Sequence, residues 1–549
     1  MNDLTIGSMI RNSIEKYSEN IALSFVGEEG ITYSSLGKKI NNISGILDLA
    51  EIHHGDKVAI LGENRPNWGI AYLSIVNIGA VAVPILPDFH SDEVEFILKH
   101  SESKLIFVSD KQVNRLKELF AKITIPIVII DNLHFQGQFL SENETDAHGK
   151  FFPGNIDDVK ETDLASIIYT SGTTGSSKGV MLLHKNLVWM VKQCRTIHVV
   201  NRYDRFLSIL PLSHTYENTL GFLLPLYAGA SVYYLRKHPS PAVLVEAMGI
   251  VKPTTMFTVP LIIEKIFKRQ VIPKFRKKAI TRMLFSYRPT RILLNRLVGI
   301  KLKKTFGGQI RFFGIGGSKL DPMIEQYLRE ARFPYSVGYG LTETSPLLAG
   351  SPPFKTPYQS TGKPVEGVQI RLHDASQQSG EGEIQVKGPN VMAGYYKNPE
   401  LTSQVFTDDG WFKTGDIGVF DSKGTLYIRS RIKNVLLGTN GENIYPEEIE
   451  AILNGIEFVE DSLVLQEQGK IIALININLK DFEEKVVELN ERALRVANDT
   501  VDDLLYEIQK FVNQRVNRFS RVHAIRLQAV PFEKTPTNKI KRYLYGGNN

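Results

Sequence analysis

Short apolar runs alternate with longer segments of helical periodicity over the first 360 residues. Helix-like segments lie between many of these runs, and this alternation is typical of parallel α/β layers. The pattern therefore predicts layered α/β sheets in this part of the chain. The runs rich in β-branched and aromatic residues, which predict strands, lie at residues 57–61, 104–110, 125–131, 206–211, 231–235, 254–260 and 310–316.

A different pattern begins after about residue 360. Residues 362–374, 382–388 and 424–431 are short strand-like runs separated by Gly and Asp turns, which predicts a small antiparallel β region. From residue 434 to residue 549, helical and strand patterns are mixed, which predicts a smaller α+β domain. The fold class we expect is therefore mixed α/β, with a large N-terminal domain and a small C-terminal one.

One uncharged stretch, residues 66–87, is long enough to cross a bilayer. Polar residues, glycine and proline interrupt it, and its second half has the composition of a strand, so we expect a helix followed by a buried strand. The N-terminus is too polar for a secretory signal. Cys194 is the single cysteine, which excludes a disulfide framework and is typical of a reducing compartment. We therefore expect a cytoplasmic protein.

The net charge of +6 conceals a strongly basic segment, residues 265–311. It holds 15 Lys or Arg and no Asp or Glu, so the rest of the chain has a net charge of −9. Apolar residues alternate with the basic ones, a pattern typical of peripheral binding to an anionic membrane surface. For a cytoplasmic protein, this surface would be the inner face of the membrane. Ordinary helices that pack an apolar face and solvate their charges show the same pattern. The segment has no nucleic-acid reader motif, and we expect no nucleic-acid partner.

Residues 169–181 form a loop of glycines and small hydroxyl side chains that reads YTSGTTGSSKGVM. It follows an apolar run, Leu164 to Thr170, that predicts a buried strand. A loop with so little side-chain bulk exposes backbone N–H groups, which bind phosphates. A P-loop requires Gly-Lys-Ser/Thr at its end, whereas Lys178 lies between Ser177 and Gly179. The loop therefore predicts phosphate binding outside the P-loop class.

Six further motifs follow this loop: GIGGSKL (314–320), GYGLTET (338–344), GWFKTGDIG (410–418), SRIKN (430–434), GENIYPEEIE (441–450) and TPTNKIKR (535–542). In this order and spacing they resemble the adenylate-forming superfamily of acyl-CoA synthetases, peptide-synthetase adenylation domains and luciferases. The resemblance covers nearly the whole chain. Two more motifs, ENRPNW (63–68) and LPLSHTYE (210–217), resemble the long-chain fatty acid–CoA ligase branch.

The resemblance implies an AMP-forming ligase that uses ATP, Mg²⁺ and coenzyme A as cofactor and co-substrates. It would adenylate a fatty acid and transfer the acyl group to coenzyme A, releasing AMP and diphosphate. Because a carboxylate must attack the α-phosphate, two anions are driven together, and catalysis consists mainly of positioning and charge neutralisation.

The resemblance also assigns roles to residues of these motifs. Thr342 and Glu343 would contact phosphate and metal, and Thr170 with Glu343 would bind Mg²⁺, which needs few protein ligands. Tyr339 would lie against adenine, and Asp416 and Arg431 would bind the ribose. The expected nucleotide and coenzyme contacts are Thr170, Ser171, Gly172, Thr173, Thr174, Gly175, Lys178, Gly316, Gly317, Tyr339, Gly340, Asp416, Arg431 and Gly441.

Lys539 would bridge the substrate carboxylate and the α-phosphate and stabilise the charge of the transition state. By the same resemblance, Lys433 would be a hinge between a large adenylation domain, residues 1–432, and a small mobile domain, residues 433–549. Rotation about it would remove Lys539 and bring Gly441 to the coenzyme A tunnel. His214 would line the entrance of the acyl pocket.

Two alternatives stay open at this point. The acceptor of the acyl group could be a protein-bound pantetheine, as in an acyl-AMP ligase or an acyl-carrier-protein synthetase. A catalytically inactive nucleotide-binding or membrane-scaffold protein is a third reading, but such a protein has no reason to keep Lys178, Glu343, Asp416 and Lys539 together.

Overall fold

The computed structural model describes residues 4–135, 158–171, 177–266, 287–438, 442–456, 458–478, 500–535 and 539–546. Predictions that lie outside these residues are those for Gly172, Thr173, Thr174, Gly175 and Gly441, together with residues 267–286 of the basic segment.

Seven described strands form one mostly parallel sheet, here called the first sheet. Only its last pair, Ile21–Phe25 with Ile31–Thr32, is antiparallel. Because parallel strands end at the same edge of a sheet, the loops that follow Ser208, Thr258 and Ile315 emerge together. The strand order is Tyr335–Val337, Phe312–Ile315, Thr255–Thr258, Arg205–Ser208, Ser231–Tyr234, Ile21–Phe25 and Ile31–Thr32.

Eight described strands form the second sheet. Its central strands are parallel and buried on both faces, as their nearly continuous apolar sequence predicts. Leu164–Ser171 and Ser177–Leu183 pair antiparallel, so the glycine-rich segment connects the two strands of a hairpin. The strand order is Gly394–Tyr395, Ser177–Leu183, Leu164–Ser171, Val81–Ile85, Lys57–Leu61, Leu105–Val108, Ile127–Ile129 and His134–Phe135.

Helices pack on both sheets, and most of them bury apolar residues in one of two clusters, a large one and a smaller one on the second sheet. Several begin with Pro after a capping side chain: the Ser240 hydroxyl accepts from Val243 N, and the Asp321 carboxylate from Ile324 N. The α-helices are Ile6–Lys16, Tyr33–Leu49, Pro66–Asn77, Ser91–Ser101, Asp110–Arg115, Lys117–Phe120, His184–Cys194, Leu224–Ala228, Pro241–Val251, Pro260–Ile266, Arg288–Thr305, Pro322–Glu330 and Pro399–Val405; Glu217–Leu223 is a π-helix and Thr342–Thr344 a 3₁₀-helix.

The antiparallel region predicted after residue 360 is present. The four strands Gln369–His373, Gly382–Lys387, Phe412–Phe420 and Leu426–Arg431 form an antiparallel sheet. Its last two strands place Asp416 opposite Arg431. Three shorter strands, Tyr339–Gly340, Leu347–Gly350 and Lys363–Pro364, form a second antiparallel group.

The C-terminal part has apolar clusters of its own, which contain only residues from Leu436 onward. This separate core agrees with the predicted boundary at residues 432 and 433, which stays a prediction. The elements are the strand pair Leu436–Leu437 and Asn443–Ile444, the three-stranded sheet of Val459–Glu467, Lys470–Ile477 and Ala524–Leu527, the helices Pro446–Asn454 and Thr500–Asn513, and the 3₁₀ turns Ile432–Asn434, Arg518–Ser520 and Arg542–Leu544.

The uncharged stretch at residues 66–87 has the structure predicted for it. It forms helix Pro66–Asn77 and the fully buried strand Val81–Ile85. In the part of the chain that the structure describes, no helix has both the length and the apolar character needed to cross a membrane.

A buried ion pair holds the start of strand Arg205–Ser208 to its neighbours. The Asp204 side chain is almost fully buried and accepts hydrogen bonds from Arg311 and, at 2.6 Å, from the Thr254 hydroxyl. Burial alone would raise the pKa of Asp204, but these hydrogen bonds outweigh it and lower the pKa from its ordinary 3.8. Asp204 is therefore a stabilising anion at neutral pH.

We expect Asp204→Asn to lower the free energy of unfolding by about 1–3 kcal/mol, since Arg311 loses its charged partner. Because the pKa of Asp204 is lower in the folded chain, its contribution is complete above about pH 4 and is lost as the pH falls through the folded value. Urea unfolding at pH 7 and at pH 3 checks this. Asp409→Asn, which breaks an exposed pair with Arg371, is the matched control and should change little. Equal effects of the two variants would contradict the prediction.

Candidate active site

A group of three polar side chains joins the second sheet to the turn that follows the first sheet. These side chains are Lys178, Glu343 and Tyr395. Lys178 lies on strand Ser177–Leu183, and Glu343 in the turn Thr342–Thr344. The Lys178 Nζ is 2.9 Å from Glu343 Oε1 and 2.6 Å from the Tyr395 hydroxyl. That hydroxyl also donates to Glu343 Oε1 at 2.9 Å. The three polar groups therefore form a closed triangle.

Glu343 is charged in this arrangement. Burial alone would raise its pKa, but the ammonium of Lys178 outweighs that effect and holds the pKa of Glu343 below its ordinary value. Burial and the neighbouring carboxylate raise the pKa of the Tyr395 hydroxyl, which stays neutral. An ionised carboxylate of this kind is a suitable ligand for Mg²⁺.

Thr170 completes this end of the site. It pairs with Lys178 across the hairpin, and its Oγ1 is buried without a hydrogen-bond partner among the described residues. Buried hydroxyls normally have a partner, and one beside a lysine and a carboxylate fits a phosphate oxygen or a magnesium ion. Thr342 is buried in the same turn as Glu343. The residues present therefore fit a magnesium–nucleotide group, whose metal Thr170 and Glu343 would hold.

A second polar group centres on Asp416. Its Oδ2 accepts from the Tyr339 hydroxyl at 2.8 Å, and its Oδ1 is 3.1 Å from Arg431 Nε. Burial raises the pKa of Asp416, and Arg431 opposes that rise. Arg431 and Asp416 meet because their strands are paired in register, whereas Tyr339 comes from the short strand Tyr339–Gly340.

The predicted glycines lie at this edge of the first sheet. Gly316 and Gly317 follow strand Phe312–Ile315. Gly316 faces the Tyr216 ring: a Cβ on Gly316 would lie 3.3 Å from the nearest ring carbon. Gly340 cannot be replaced without distortion, since a Cβ there would lie 1.7 Å from the carbonyl oxygen of Pro346. The backbone is therefore closely packed where the base of a nucleotide is expected.

Lys539 faces the same cleft from the C-terminal part. Its side chain has access to solvent, but it lies among so many protein atoms that burial, together with Arg431, lowers its pKa; Asp416 and Glu343 act in the opposite direction. Because the charges of Arg431, Asp416 and Glu343 act on Lys539, its ammonium group lies near both the Glu343 group and the Asp416 group. An ammonium in this position can neutralise an anion that enters the cleft.

His214 lies close to Lys539 and is neutral. Burial and the lysine charge lower its pKa to about 4. Its Nδ1 accepts a hydrogen bond of 3.2 Å from Tyr216 N, so the proton of the neutral ring is on Nε2. His214 can therefore donate a hydrogen bond to a carboxylate.

Comparison with known proteins identifies the family. The profile of the family described as AMP-binding enzyme matches residues 10–396, which is more than half of the chain. The chain belongs to the AMP-binding enzyme family.

Curated relatives match this AMP-binding enzyme over almost its whole length. The long-chain-fatty-acid–CoA ligase FadD15 of Mycobacterium bovis is 29% identical over 91% of this chain and 87% of that protein. The long chain acyl-CoA synthetase 4 of Arabidopsis thaliana is 29% identical over 97% of this chain and 89% of that protein.

Solved structures share its fold. MatB of Rhodopseudomonas palustris bound to ATP superimposes with a TM-score of 0.77 at 22% identity, over 98% of both chains. The O-succinylbenzoate coenzyme A synthetase MenE of Bacillus subtilis, in complex with ATP and magnesium, gives 0.75 at 20% identity, over 97% of this chain and 98% of that one. The resemblance to adenylate-forming enzymes and the mixed α/β fold class are therefore confirmed.

The structure of this AMP-binding enzyme brings together most of the predicted site residues that it describes. Thr170, Lys178 and Glu343 form one group, and Tyr339, Asp416 and Arg431 another, with Lys539 near both. Lys433 is exposed in the turn Ile432–Asn434, directly after Arg431. The backbone of Ser171 pairs with Ser177 at the end of the hairpin where the glycine-rich segment connects the two strands. The individual roles of these residues stay predictions.

Tyr395 was not predicted from the sequence. It lies in a short strand, Gly394–Tyr395, that pairs with Ser177–Leu183 and so reaches Lys178 from the side. No motif precedes it, and the sequence does not distinguish Tyr395 from the adjacent tyrosine, Tyr396. Tyr395, and not Tyr396, contacts Lys178 because two strands more than 200 residues apart in sequence pair with each other.

We expect Tyr395→Phe to slow adenylation about tenfold, because a charge-assisted hydrogen bond to Glu343 is worth about 1.5 kcal/mol. Acid-dependent exchange between diphosphate and ATP measures this step. Tyr396→Phe is the matched control, since the Tyr396 hydroxyl interacts with Glu102 instead. Equal rates for the two variants would show that Tyr395 does not support Glu343.

Proposed function

We propose that this protein is an ATP-dependent acyl-CoA synthetase that acts on a long-chain fatty acid. It converts fatty acid, ATP and CoA to acyl-CoA, AMP and diphosphate through an acyl-AMP intermediate. The observation that carries the proposal is the convergence of Lys178, Arg431 and Lys539 on one cleft with the carboxylates of Glu343 and Asp416. The names of the relatives that match over most of the chain support CoA as acceptor and a long acyl chain.

In the first half-reaction the cleft gathers two anions. Lys178 and the backbone of the hairpin hold the terminal phosphates, while Asp416 and Arg431 bind the ribose hydroxyls. A magnesium ion, when bound by Thr170 and Glu343, supplies charge neutralisation to the phosphates. Lys539 then bridges the carboxylate of the acid and the α-phosphate, and His214 donates from Nε2 to the acid.

The triangle of Lys178, Glu343 and Tyr395 supports these roles in phosphate and metal binding. The ammonium of Lys178 is paired with Glu343 at 2.9 Å. Lys178 could turn from Glu343 to a bound phosphate, and the Glu343 carboxylate would then be available to hold a magnesium ion.

In the second half-reaction the C-terminal part rotates about Lys433. The rotation removes Lys539 from the adenylate and opens a path for the thiol of CoA. The exposed position of Lys433 and the separate apolar core beyond Leu436 support this step. The thiol attacks the acyl carbonyl carbon and AMP leaves, so no protein nucleophile is required. Cys194 is buried and its thiol pKa is raised, in agreement with its having no role.

Lys539→Ala tests the proposal. We expect it to reduce acyl-AMP formation by about three orders of magnitude, since it removes a charge that acts in the transition state, while thioester formation from supplied acyl-AMP persists. Diphosphate release and acyl-CoA formation are measured separately with a panel of acids.

Lys541→Ala, which loses only a long ion pair of 3.7 Å with Glu533, is the control for this variant. Adenylation at the wild-type rate in Lys539→Ala would overturn the assignment. Acyl-AMP formation without acyl-CoA formation in the wild type would point to a carrier-protein acceptor instead of CoA. Absence of both products with all acids would point to an inactive protein.

We also propose that the protein binds peripherally to an anionic membrane surface through helix Arg288–Thr305. Leu293, Leu297 and Ile300 are about two-thirds exposed and follow an i, i+4, i+7 spacing, so they share one outward face. The opposite face, with Asn295, Gly299 and Leu302, is buried.

Basic residues flank this apolar stripe. Arg296, Lys301 and Lys304 are exposed beside it, and no acidic residue occurs in the helix. The packed-helix alternative requires the stripe to face the core, whereas here it faces outward. An apolar stripe bordered by cations is suited to the interface of an anionic bilayer, where each Lys or Arg contributes about 1 kcal/mol. A long-chain acid partitions into the same bilayer.

We expect vesicles that contain anionic lipid to sediment the protein at low salt, and neutral vesicles to do so poorly, because the basic residues supply part of the attraction. Replacing Leu293, Leu297 and Ile300 together with Ser should abolish sedimentation and leave activity on a soluble short acid unchanged. Val245→Ser with Ile250→Ser, exposed on helix Pro241–Val251, is the matched control. Sedimentation that is independent of lipid charge, or unchanged in the triple variant, would overturn the proposal.

A further inference from the structure

Glu217 is a buried acid that the reaction does not use. It begins the π-helix Glu217–Leu223, directly after the segment that carries His214 and Tyr216, and it is 1% exposed. A carboxyl group in such a place is costly unless it is neutral or paired with a cation. π-helical turns are frequent at functional sites. The position of Glu217 therefore requires an explanation.

The contacts of Glu217 and Asn64 hold the segment of residues 208–217 at both ends. The Ser208 hydroxyl lies beside the Glu217 carboxyl group and lowers its pKa, and Ser208 Oγ accepts from Asn64 Nδ2 at 3.0 Å. Asn64 also donates to Leu210 O at 2.6 Å and accepts from Leu212 N at 2.8 Å. Residues 208–217 are thus held at their start by Asn64 and at their end by Glu217, with Ser208 joining the two.

The surroundings of Glu217 keep it neutral. Burial raises its pKa to about 8, opposed only by the Ser208 hydroxyl. The titratable groups that face it are the hydroxyls of Tyr216 and of Tyr234, which lies beside Ser208 in the sheet; burial raises the pKa of both, so neither is charged. No cation is among the groups that affect it.

Gly221 makes room for the carboxyl group. A Cβ at this position would lie 2.5 Å from the Glu217 side-chain carboxyl carbon. The second oxygen, Oε2, is buried and makes no hydrogen bond within the described part of the chain. The group is therefore fixed by one hydroxyl, by the glycine opposite and by its apolar surroundings.

The loop that Glu217 closes faces the reacting groups. The Tyr216 ring lies against Gly316, and Lys539 lowers the pKa of His214 across the cleft. We propose that Glu217, as a neutral carboxylic acid, is a positioning residue that holds residues 208–217 so that His214 and Tyr216 face the carboxylate of the fatty acid. This inference rests on the proposed function. Ionisation would put an unpaired anion in the core, where it draws in water and displaces the loop.

The test compares Glu217→Gln, which keeps a neutral hydrogen-bonding group of the same size, with Glu217→Leu, which keeps only the volume. In the wild type the KM for the fatty acid should rise several-fold between pH 7 and pH 9, while the KM for ATP does not follow. Glu217→Gln should show no such rise, and Glu217→Leu a raised KM at every pH. Gly221→Ala, which displaces the carboxyl from the other side, should resemble Glu217→Leu.

A rise of KM in Glu217→Gln equal to that of the wild type would overturn the proposal, and so would an unchanged KM in both Glu217→Leu and Gly221→Ala. Thermal unfolding at pH 7 identifies any variant that fails to fold. If Glu217→Leu does not fold, the pH profile of Glu217→Gln still decides.

Urea unfolding needs no substrate and separates this inference from the proposed function. The pKa of Glu217 is raised above its ordinary 4.5 on folding, so the folded chain binds one more proton between about pH 4.5 and pH 8 and loses stability as the pH rises through that window. The stability gained by Glu217→Gln relative to the wild type should therefore grow from pH 5 to pH 8 and level off above it. A constant difference would overturn the neutral state of Glu217, even if acyl-CoA forms normally.

Discussion

Repulsion between anions is the constraint that organises this molecule. The carboxylate of an acid and the phosphates of a nucleotide must come within bonding distance, and in water they repel each other. The cleft meets this requirement with three cations from three separate structural units: Lys178 on a hairpin of the second sheet, Arg431 on the antiparallel sheet and Lys539 in the C-terminal part. Glu343 pairs with Lys178, and Asp416 pairs with Arg431.

Sheet topology explains how such distant residues meet. Parallel strands of the first sheet end at one edge, where Gly316 and Tyr339 follow two neighbouring strands. The hairpin of the second sheet reaches the same edge through the Lys178–Glu343 contact. The register of Phe412–Phe420 with Leu426–Arg431 then places Asp416 beside Arg431. The first, second and antiparallel sheets share one large apolar core, and the C-terminal part has its own. The charged groups therefore need to supply little stability and can serve binding.

Two features outside the charged cleft complete the functional picture. Helix Arg288–Thr305 turns an apolar stripe outward, against the usual direction of burial. Glu217 does the reverse and places an acid in the core. Both depart from the ordinary partition of polar and apolar groups, and departures of this kind are expected where function competes with stability. Under the proposed function, the first would suit the bilayer in which a long-chain acid dissolves, and the second would suit the segment that faces the carboxylate of that acid.

Much of this was determined by local sequence. Strand runs such as 57–61 and 254–260 predicted their own conformation because buried parallel strands need unbroken apolar, β-branched stretches. The motifs around Lys178, Glu343, Asp416 and Lys539 indicated the family because the chemistry restricts residue type and order. Only the tertiary structure decided which segments far apart in sequence meet, such as Tyr395 with Lys178 and Asn64 with Ser208. It also decided that Leu293, Leu297 and Ile300 face outward. A periodic pattern determines that a helix has an apolar face, but only the packing of its neighbours determines whether that face is buried or exposed.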